Sequence, residues 1–529
     1  MTAVKRRYSG DGPAVFRGTR THFSRMFGYS RRICPRKGNG LMTRNRKCVQ
    51  DHLLRSTLLV CALLFSAGCA VNPATGQRQF MLMSEAEEIE MGRDADVEIT
   101  APLGLYDSAE LQRSVSDIGN DLASRSERPT LPWSFKLVDD PMANAFALPG
   151  GFIFVTRGIM VALNSEAELA GVIGHEIGHV TARHSASQMS RQQLQQIGLG
   201  VGAVLSSDVA SAAGVLSAGL GLLNMSYGRG AESQSDELGV RYMSRAGYDP
   251  NALVGVFQTL ALASGGGEGS VPEWASTHPN PVNREEDIRE IIGMSGQDLS
   301  GYTQRSEEYL KSLDGMIFGQ DPREGFFDGQ AFFHPDMAFA LDFSSGWTTV
   351  NQKSQVGAVS PDETALVILT VEEGESDAED TLSSFLRQAD IRGSGARRTS
   401  VNGLTGWVAS FNADSEQGGL RGAVLFVEHG GAVVRLLGYS SASQWRSQEG
   451  IVLQAIESFR PESYPDVLGV EPVRIEVVQL PSRMTLQQFI DRYPSTASDE
   501  QIAMINRRRS GESIAAGTLL KRVAGGRFP

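Results

Sequence analysis

Two histidines four positions apart, with a glutamate beside the first, stand inside an apolar stretch: Glu168-Leu169-Ala170-Gly171-Val172-Ile173-Gly174-His175-Glu176-Ile177-Gly178-His179. No other feature constrains the fold as much. Residues four apart share one face of a helix, with Cβ atoms about 5–6 Å apart. The apolar flanks demand burial, and three ionisable groups in a buried helix are costly unless something satisfies them. The helix must therefore pack against another segment that brings complementary groups. Residues 165–189 are expected to be helical.

Two neutral imidazoles at this spacing can hold a zinc ion, so one Zn2+ per chain is the expected cofactor, with His175 and His179 as ligands. Glu176 stands where a carboxylate can take a proton from a water that such an ion activates. A third ligand is expected from a downstream helix. Ala231-Glu232-Ser233-Gln234-Ser235-Asp236 offers two acids four apart. Glu232 is assigned to the metal, and Asp236 to orienting a histidine ligand through its other ring nitrogen. Alone, such a pair would read as a solvated acidic face. Thr277-His278-Pro279-Asn280-Pro281-Val282-Asn283-Arg284 reads as a rigid loop entering a helix. His278 either reaches the open metal position, where it would block the water, or stabilises an oxyanion together with Arg284. A helix-capping loop with a surface histidine is an equal alternative. His184 lies nine residues beyond His175, off the ligand face, and is expected to be structural. His334 and His429 have no acid at useful spacing.

The charge distribution divides the 529 residues. Residues 1–68 hold 14 Lys and Arg against Asp11 and Asp51, a charge of +12, so the remainder carries −24 of the total −12. That acidic body argues against nucleic acid as a partner. All four cysteines lie at or before Cys69, so nothing beyond it forms a disulfide or a thiolate site. Within 42–69, basic residues precede the apolar run 58–65 and a small-residue stretch, Ser66-Ala67-Gly68-Cys69. The run is too short to span a bilayer, which takes about 20 apolar residues. It reads as an export signal. Ending on Ala-Gly-Cys, it resembles a bacterial lipoprotein signal, which implies lipidation of Cys69 and a membrane anchor.

The body suggests a multi-domain α+β protein. Residues 70–83 read as a linker, and Ser84 with Glu87 opens a capped helix. Residues 144–160 read as two strands around Pro149-Gly150-Gly151. The expected layout is an extension and signal over 1–69, a mainly helical metal domain with a small sheet over 84–292, and a connector over 293–328. An α+β module follows over 329–462, then a small strand-helix-helix-strand unit over 470–525. Residues 194–223, rich in Gly, Ala and Leu, read as a helical pair over the site. A membrane helix there would have to bury Asp208, which is expensive in lipid.

The histidine motif, Glu232 with Asp236, His278-Pro279 with Arg284, and Asn144-Ala145-Phe146-Ala147-Leu148-Pro149-Gly150-Gly151 together resemble the HtpX/CAAX-prenyl-protease family of zinc endopeptidases over about 84–292. Lacking clear transmembrane helices, the chain is similar to the periplasmic lipoprotein branch. The resemblance implies a zincin fold and an envelope protease, in quality control at the outer membrane, that cuts misfolded or unassembled envelope proteins. It also implies a substrate strand laid beside Phe152, Ile153, Phe154 and Val155. The last unit weakly resembles a LysM-like peptidoglycan-binding fold, with a plain packing module as the alternative. Two competing readings are a capped, non-proteolytic chaperone or peptidoglycan-tethered scaffold, and an integral-membrane protease.

Overall fold

In the computed structural model the described residues are 69–198, 226–264, 278, 281–372, 374, 377–415 and 418–527. The signal segment before Cys69, most of 194–223 and the glycine-rich stretch after residue 264 lie outside them.

The expected linker is instead a hairpin of β1 (Cys69–Val71) and β2 (Arg78–Phe80). Its side chains bind the body: Asn72 Nδ2 and Gln79 Nε2 both donate to the carbonyl of Ala182, at 3.3 and 3.2 Å. A contact across more than 100 residues leaves no local signal, which is why the segment reads as a linker. Helix α1 (Glu85–Leu103) then opens on the Ser84–Glu87 capping box, as expected. Helix α2 (Ala109–Ser124) follows, capped by Ser108.

A three-stranded sheet comes next: β3 (Ser134–Val138), β4 (Ala145–Leu148) and β5 (Phe152–Thr156), in the order β3-β5-β4. Strand β5 is the centre, parallel to β3 and antiparallel to β4. All five of its residues are buried. Alternation gives it two apolar faces. Phe152 and Phe154 join Ile99 of α1, while Ile153 and Val155 join the main core with Val115 and Leu122 of α2. Thr156 caps a short helix α3 (Arg157–Ala162), where the sequence suggested that the strand continues.

Helix α4 (Glu166–Thr181), capped by Ser165, carries the histidine pair. It is shorter than expected. The chain breaks at Ala182-Arg183, where Arg183 takes a left-handed φ of 60°, and restarts as α5 (His184–Gly198). Helices α6 (Arg229–Ala246), α7 (Asn251–Ser264) and α8 (Pro281–Ser295) complete the helical layer. The charged stretch over 283–313 holds α8 and a second, shorter helix, α9 (Ser306–Ser312).

Strands β6 (Phe326–Asp328), β7 (Ala331–His334), β8 (Phe339–Asp342), β9 (Thr348–Gln352), β10 (Gln355–Val359) and β11 (Ala365–Glu372) begin a second region. Helix α10 (Ala378–Leu386), strands β12 (Ile391–Val401), β13 (Leu404–Ser415), β14 (Gly418–His429) and β15 (Ala432–Ser441), helix α11 (Trp445–Glu457) and strand β16 (Arg460–Pro461) complete it. Seven strands form an antiparallel sheet in the order β12-β13-β14-β15-β11-β10-β9, and four form a smaller one, β16-β8-β7-β6. Helix α10 covers one face through Phe385 on Phe411 and Phe426. Helix α11 covers the other through Val452 and Ile456.

After α12 (Pro465–Leu468), the last segment pairs β17 (Glu471–Gln479) with β20 (Leu519–Arg527). Between them lie β18 (Met484–Thr485), α13 (Leu486–Arg492), α14 (Asp499–Asn506) and β19 (Ser513–Ile514). The strand-helix-helix-strand order is present, with a small extra strand pair. Its core is not separate. Phe489, Ile502, Ile505 and Leu520 belong to the same buried cluster as Leu169 and Ile173 of α4, and each such side chain contributes about 1.5–3 kcal/mol by burial. Lys521 is fully buried. Its Nζ donates to the carbonyls of Val161 and Leu163 at 2.6 and 2.7 Å, just ahead of the histidine helix. Arg507 reaches Glu168 in the first turn of that helix at 2.6 Å.

Candidate metal centre

The centre is built where α4 and α6 touch backbone to backbone. A Cβ on Gly178 would stand 3.0 Å from Ser235 Cα, and one on Gly239 would stand 3.2 Å from the His175 nitrogen. Only at that separation do the short acids of α6 reach the imidazoles of α4. His175, Glu176 and His179 are at most 1% exposed, and Glu232 and Asp236 at most 2%. Five ionisable groups held this deep require mutual satisfaction.

They provide it in layers. The Nε2 atoms of His175 and His179 face each other at 3.0 Å. Glu232 stands 3.5 Å from both, one oxygen to each ring. His278 Nδ1 lies 3.2 Å from His175 Nε2 and 3.1 Å from both Glu232 oxygens. One donor atom from each of these four residues lies within 4.8 Å of all the others. Donors about 2.0–2.2 Å from a tetrahedral zinc ion sit roughly 3.4 Å apart, so the observed 3.0–3.5 Å spacings among His175, His179 and Glu232 fit that ion. Two imidazole nitrogens and a carboxylate oxygen converging on one point are a zinc donor set.

Behind these donors, His175 Nδ1 meets Asp236 Oδ1 at 2.9 Å. Arg284, from α8, holds Asp236 with two donors at 2.8 and 2.6 Å and also reaches Glu232 at 2.8 Å. Its guanidinium lies over the Phe257 ring, 4.3 Å from the centroid. Glu176 Oε1 stands 3.5 Å from His278 Nε2.

The electrostatics follow the packing. Burial works to lower the His175 imidazole, but the Asp236 and Glu232 carboxylates override it and hold it up at about 9. Burial dominates at His179 and pushes it well below the ordinary histidine value, aided by the neighbouring imidazoles. Burial opposes ionisation of Glu232, yet His278 and His175 pull its carboxyl below the usual carboxylate range. Arg284 does the same for Asp236.

The structure thus brings together His175, Glu176, His179, Glu232, Asp236, His278 and Arg284. It does not support the expected substrate strand. Residues 152–155 lie on β5, whose two edges are already paired, so no further strand can add there; the edge strands are β3 and β4, and since Tyr106 and Gln112 already engage Leu137 of β3, β4 has the unpaired outer edge among the described strands. His184, set aside as off the ligand face, meets the site because the helix breaks before it. Its Nδ1 lies 3.0 Å from His179 Nδ1 and its Nε2 is 2.9 Å from Gln234 Oε1. Sequence reasoning missed Tyr227 altogether. Its ring stacks on His179 at 4.1 Å and its hydroxyl pairs with Ser185 at 2.7 Å. No spacing pattern marks an aromatic that arrives from a separate segment.

Comparison with known proteins adds a family match. Residues 109–292 match peptidase family M48. The chain is 33% identical over 220 residues to the beta-barrel assembly-enhancing protease of Yersinia pestis, covering 40% of this chain and 44% of that one. It is 31% identical over 231 residues to the mitochondrial metalloendopeptidase OMA1 of Schizosaccharomyces pombe, covering 42% and 65%. The beta-barrel assembly-enhancing protease of Escherichia coli is 28% identical over 226 residues, covering 41% and 46%. The chain spans about half the length of the curated relatives it matches. The resemblance to a family of zinc metalloendopeptidases read from the motifs is borne out.

Proposed function

We propose that this chain, with its peptidase family M48 segment over 109–292, is a zinc-dependent endopeptidase of a bacterial envelope. Its substrates are misfolded or unassembled envelope proteins. The observation that carries the reading is the buried convergence of His175, His179 and Glu232 with Glu176 beside it. Bound zinc would supply Lewis-acid polarisation of the scissile carbonyl and of the attacking water. The chain supplies the rest. The Glu176 carboxylate accepts a proton from the attacking water and delivers it to the leaving nitrogen. Asp236 fixes the ring of His175, and Arg284 fixes Asp236 and Glu232. With its donors engaged there, Arg284 acts as a positioning residue. An extended substrate segment adds along the open edge of β4, held by main-chain hydrogen bonds.

The relatives named for enhancing beta-barrel assembly favour outer-membrane β-barrel proteins as the substrates. We place the chain in the periplasm, anchored through lipidated Cys69. No helix among the described residues is long and apolar enough to cross a membrane. Peptidoglycan contact by the last unit is part of the same proposal, through its LysM-like order of elements.

A second reading is favoured by one distance set. His278 Nδ1 stands 3.1–3.2 Å from Glu232 and His175, at the spacing of a fourth donor. In that arrangement it takes the position a water needs, and the site is capped. Cleavage of a denatured outer-membrane β-barrel protein by the purified chain, with and without chelator, tests both. The proposal expects chelator-sensitive cleavage that His278→Ala does not abolish. Absence of cleavage by parent and His278→Ala alike, with zinc bound, would leave the scaffold reading standing.

A further inference from the structure

His184 is outside the donor set, yet it is the group that meets the far ring nitrogen of His179. In a continuous helix, five residues at 100° each would turn it about 140° away from His179. The break prevents this. Arg183 adopts a left-handed φ of 60°, a conformation that residues with a Cβ rarely take. Separate elements hold the turn in place. Arg183 Nε donates to Glu88 Oε2 at 2.8 Å and its Nη2 to the Met83 carbonyl at 2.9 Å. Asn72 and Gln79 of the first hairpin bind the Ala182 carbonyl. The strained turn brings His184 back under His179, and strain of this kind gathers at functional sites.

The two shortest contacts of His184 run in one direction, with Ser235 Oγ a longer neighbour of its Nδ1 at 3.4 Å. A carboxamide oxygen only accepts, so Gln234 Oε1 takes the proton of His184 Nε2 at 2.9 Å. A neutral imidazole with its proton on Nε2 has a lone pair on Nδ1, which accepts from His179 Nδ1–H at 3.0 Å. His179 then carries its lone pair on Nε2, the atom that faces His175 Nε2 and Glu232 Oε1. Turning the Gln234 amide over would reverse every proton and leave an N–H pointing at the metal position.

We propose that His184 and Gln234 form a relay that selects the His179 tautomer able to bind zinc, a role that rests on His179 being a zinc ligand. The two ligand histidines are thereby oriented by different means. His175 leans on a carboxylate locked by Arg284, and His179 leans on an uncharged imidazole and amide. His184 and Gln234 are positioning residues.

Chelator competition for zinc in the full chain tests this, with His184→Phe, His184→Asn and Gln234→Met beside the parent. Loss of an outer partner typically weakens metal binding 10–100-fold. His184→Phe is expected to fall in that range, and Gln234→Met to weaken binding in the same direction. His184→Asn, whose carboxamide oxygen can accept from His179 Nδ1–H, should recover most of the affinity. Nitrogen-15 shifts of the His179 ring in zinc-free parent protein should place its proton on Nδ1, a readout that requires no variant to fold. Parent-like affinity in His184→Phe, equal weakness in the Asn and Phe variants, or a His179 proton on Nε2 would each overturn the relay alone. A parent that binds no zinc would overturn the metal assignment, and the relay with it.

Discussion

The α4–α6 crossing and the seven-stranded sheet region bury opposite kinds of surface. Between β6 and β16 the buried polar residues among those described are Ser360 and Ser440, and the rest of that interior is aliphatic and aromatic. At the crossing, His175, Glu176, His179, Glu232, Asp236, His278 and Arg284 are all at most 3% exposed. A sheet covered by helices on both faces is a stable way to hide apolar residues. A cluster of buried imidazoles and carboxylates is not, unless hydrogen bonds and a cation offset the loss of water. The difference shows which region the chain keeps for chemistry and which for architecture.

Substitutions should separate the two regions. The largest effect is expected for Glu232→Ala, which removes a proposed ligand and leaves Arg284 and His278 facing a gap. Zinc content after dialysis should fall by more than the 10–100-fold typical of an outer-shell change, and cleavage should go with it. Leu436→Ala, in the sheet interior, should cost about 2–5 kcal/mol of stability in urea unfolding while zinc content stays at the parent level. If Leu436→Ala stripped the zinc, the regions would not be separable. Asp236→Asn keeps the size but not the charge that Arg284 and His175 hold. It should weaken zinc by about 10–100-fold in chelator competition.

The smallest effect is a pH slope. Burial draws Lys521 down to about 7 despite the nearby Glu168 carboxylate. An unfolded lysine titrates near 10.4, so between those values the unfolded chain binds more protons and the fold gains stability as pH rises. The penalty is complete below about 7. Lys521→Met should remove a slope of at most about 1.4 kcal/mol per pH unit. Urea unfolding of both proteins from pH 7.5 to 9.5 should show parent stability rising relative to the variant. Parallel curves would mean that Lys521 keeps an ordinary value and that its burial carries no such cost.

Local periodicity made much of this legible. The Ser84 capping box, the apolar flanks of His175 and His179, and the one-face spacing of Glu232 and Asp236 are written within single helical turns. The α+β character of the module over 329–462 is legible as well. Long-range contacts are what the sequence hides. The β1–β2 hairpin owes its place to the Ala182 carbonyl, 110 residues from Asn72. The end of α4 is set by Arg183 meeting Glu88, so His184 could not be placed by counting turns. Strand β5 reads as an ordinary strand, and only the pairing order shows that it is central, with β3 and β4 at the edges. The last segment reads as a unit of its own because its helices and strands are local, while its core is completed by α4.

The most direct test of the central claim is zinc stoichiometry and cleavage of a denatured envelope protein, measured on the same preparations of parent and Glu176→Gln. The account predicts one zinc per chain in both proteins and cleavage by the parent alone, reduced in the variant by about 10²–10⁴-fold. Glu176→Gln cutting at the parent rate, or a parent that cuts while holding no metal, would contradict it.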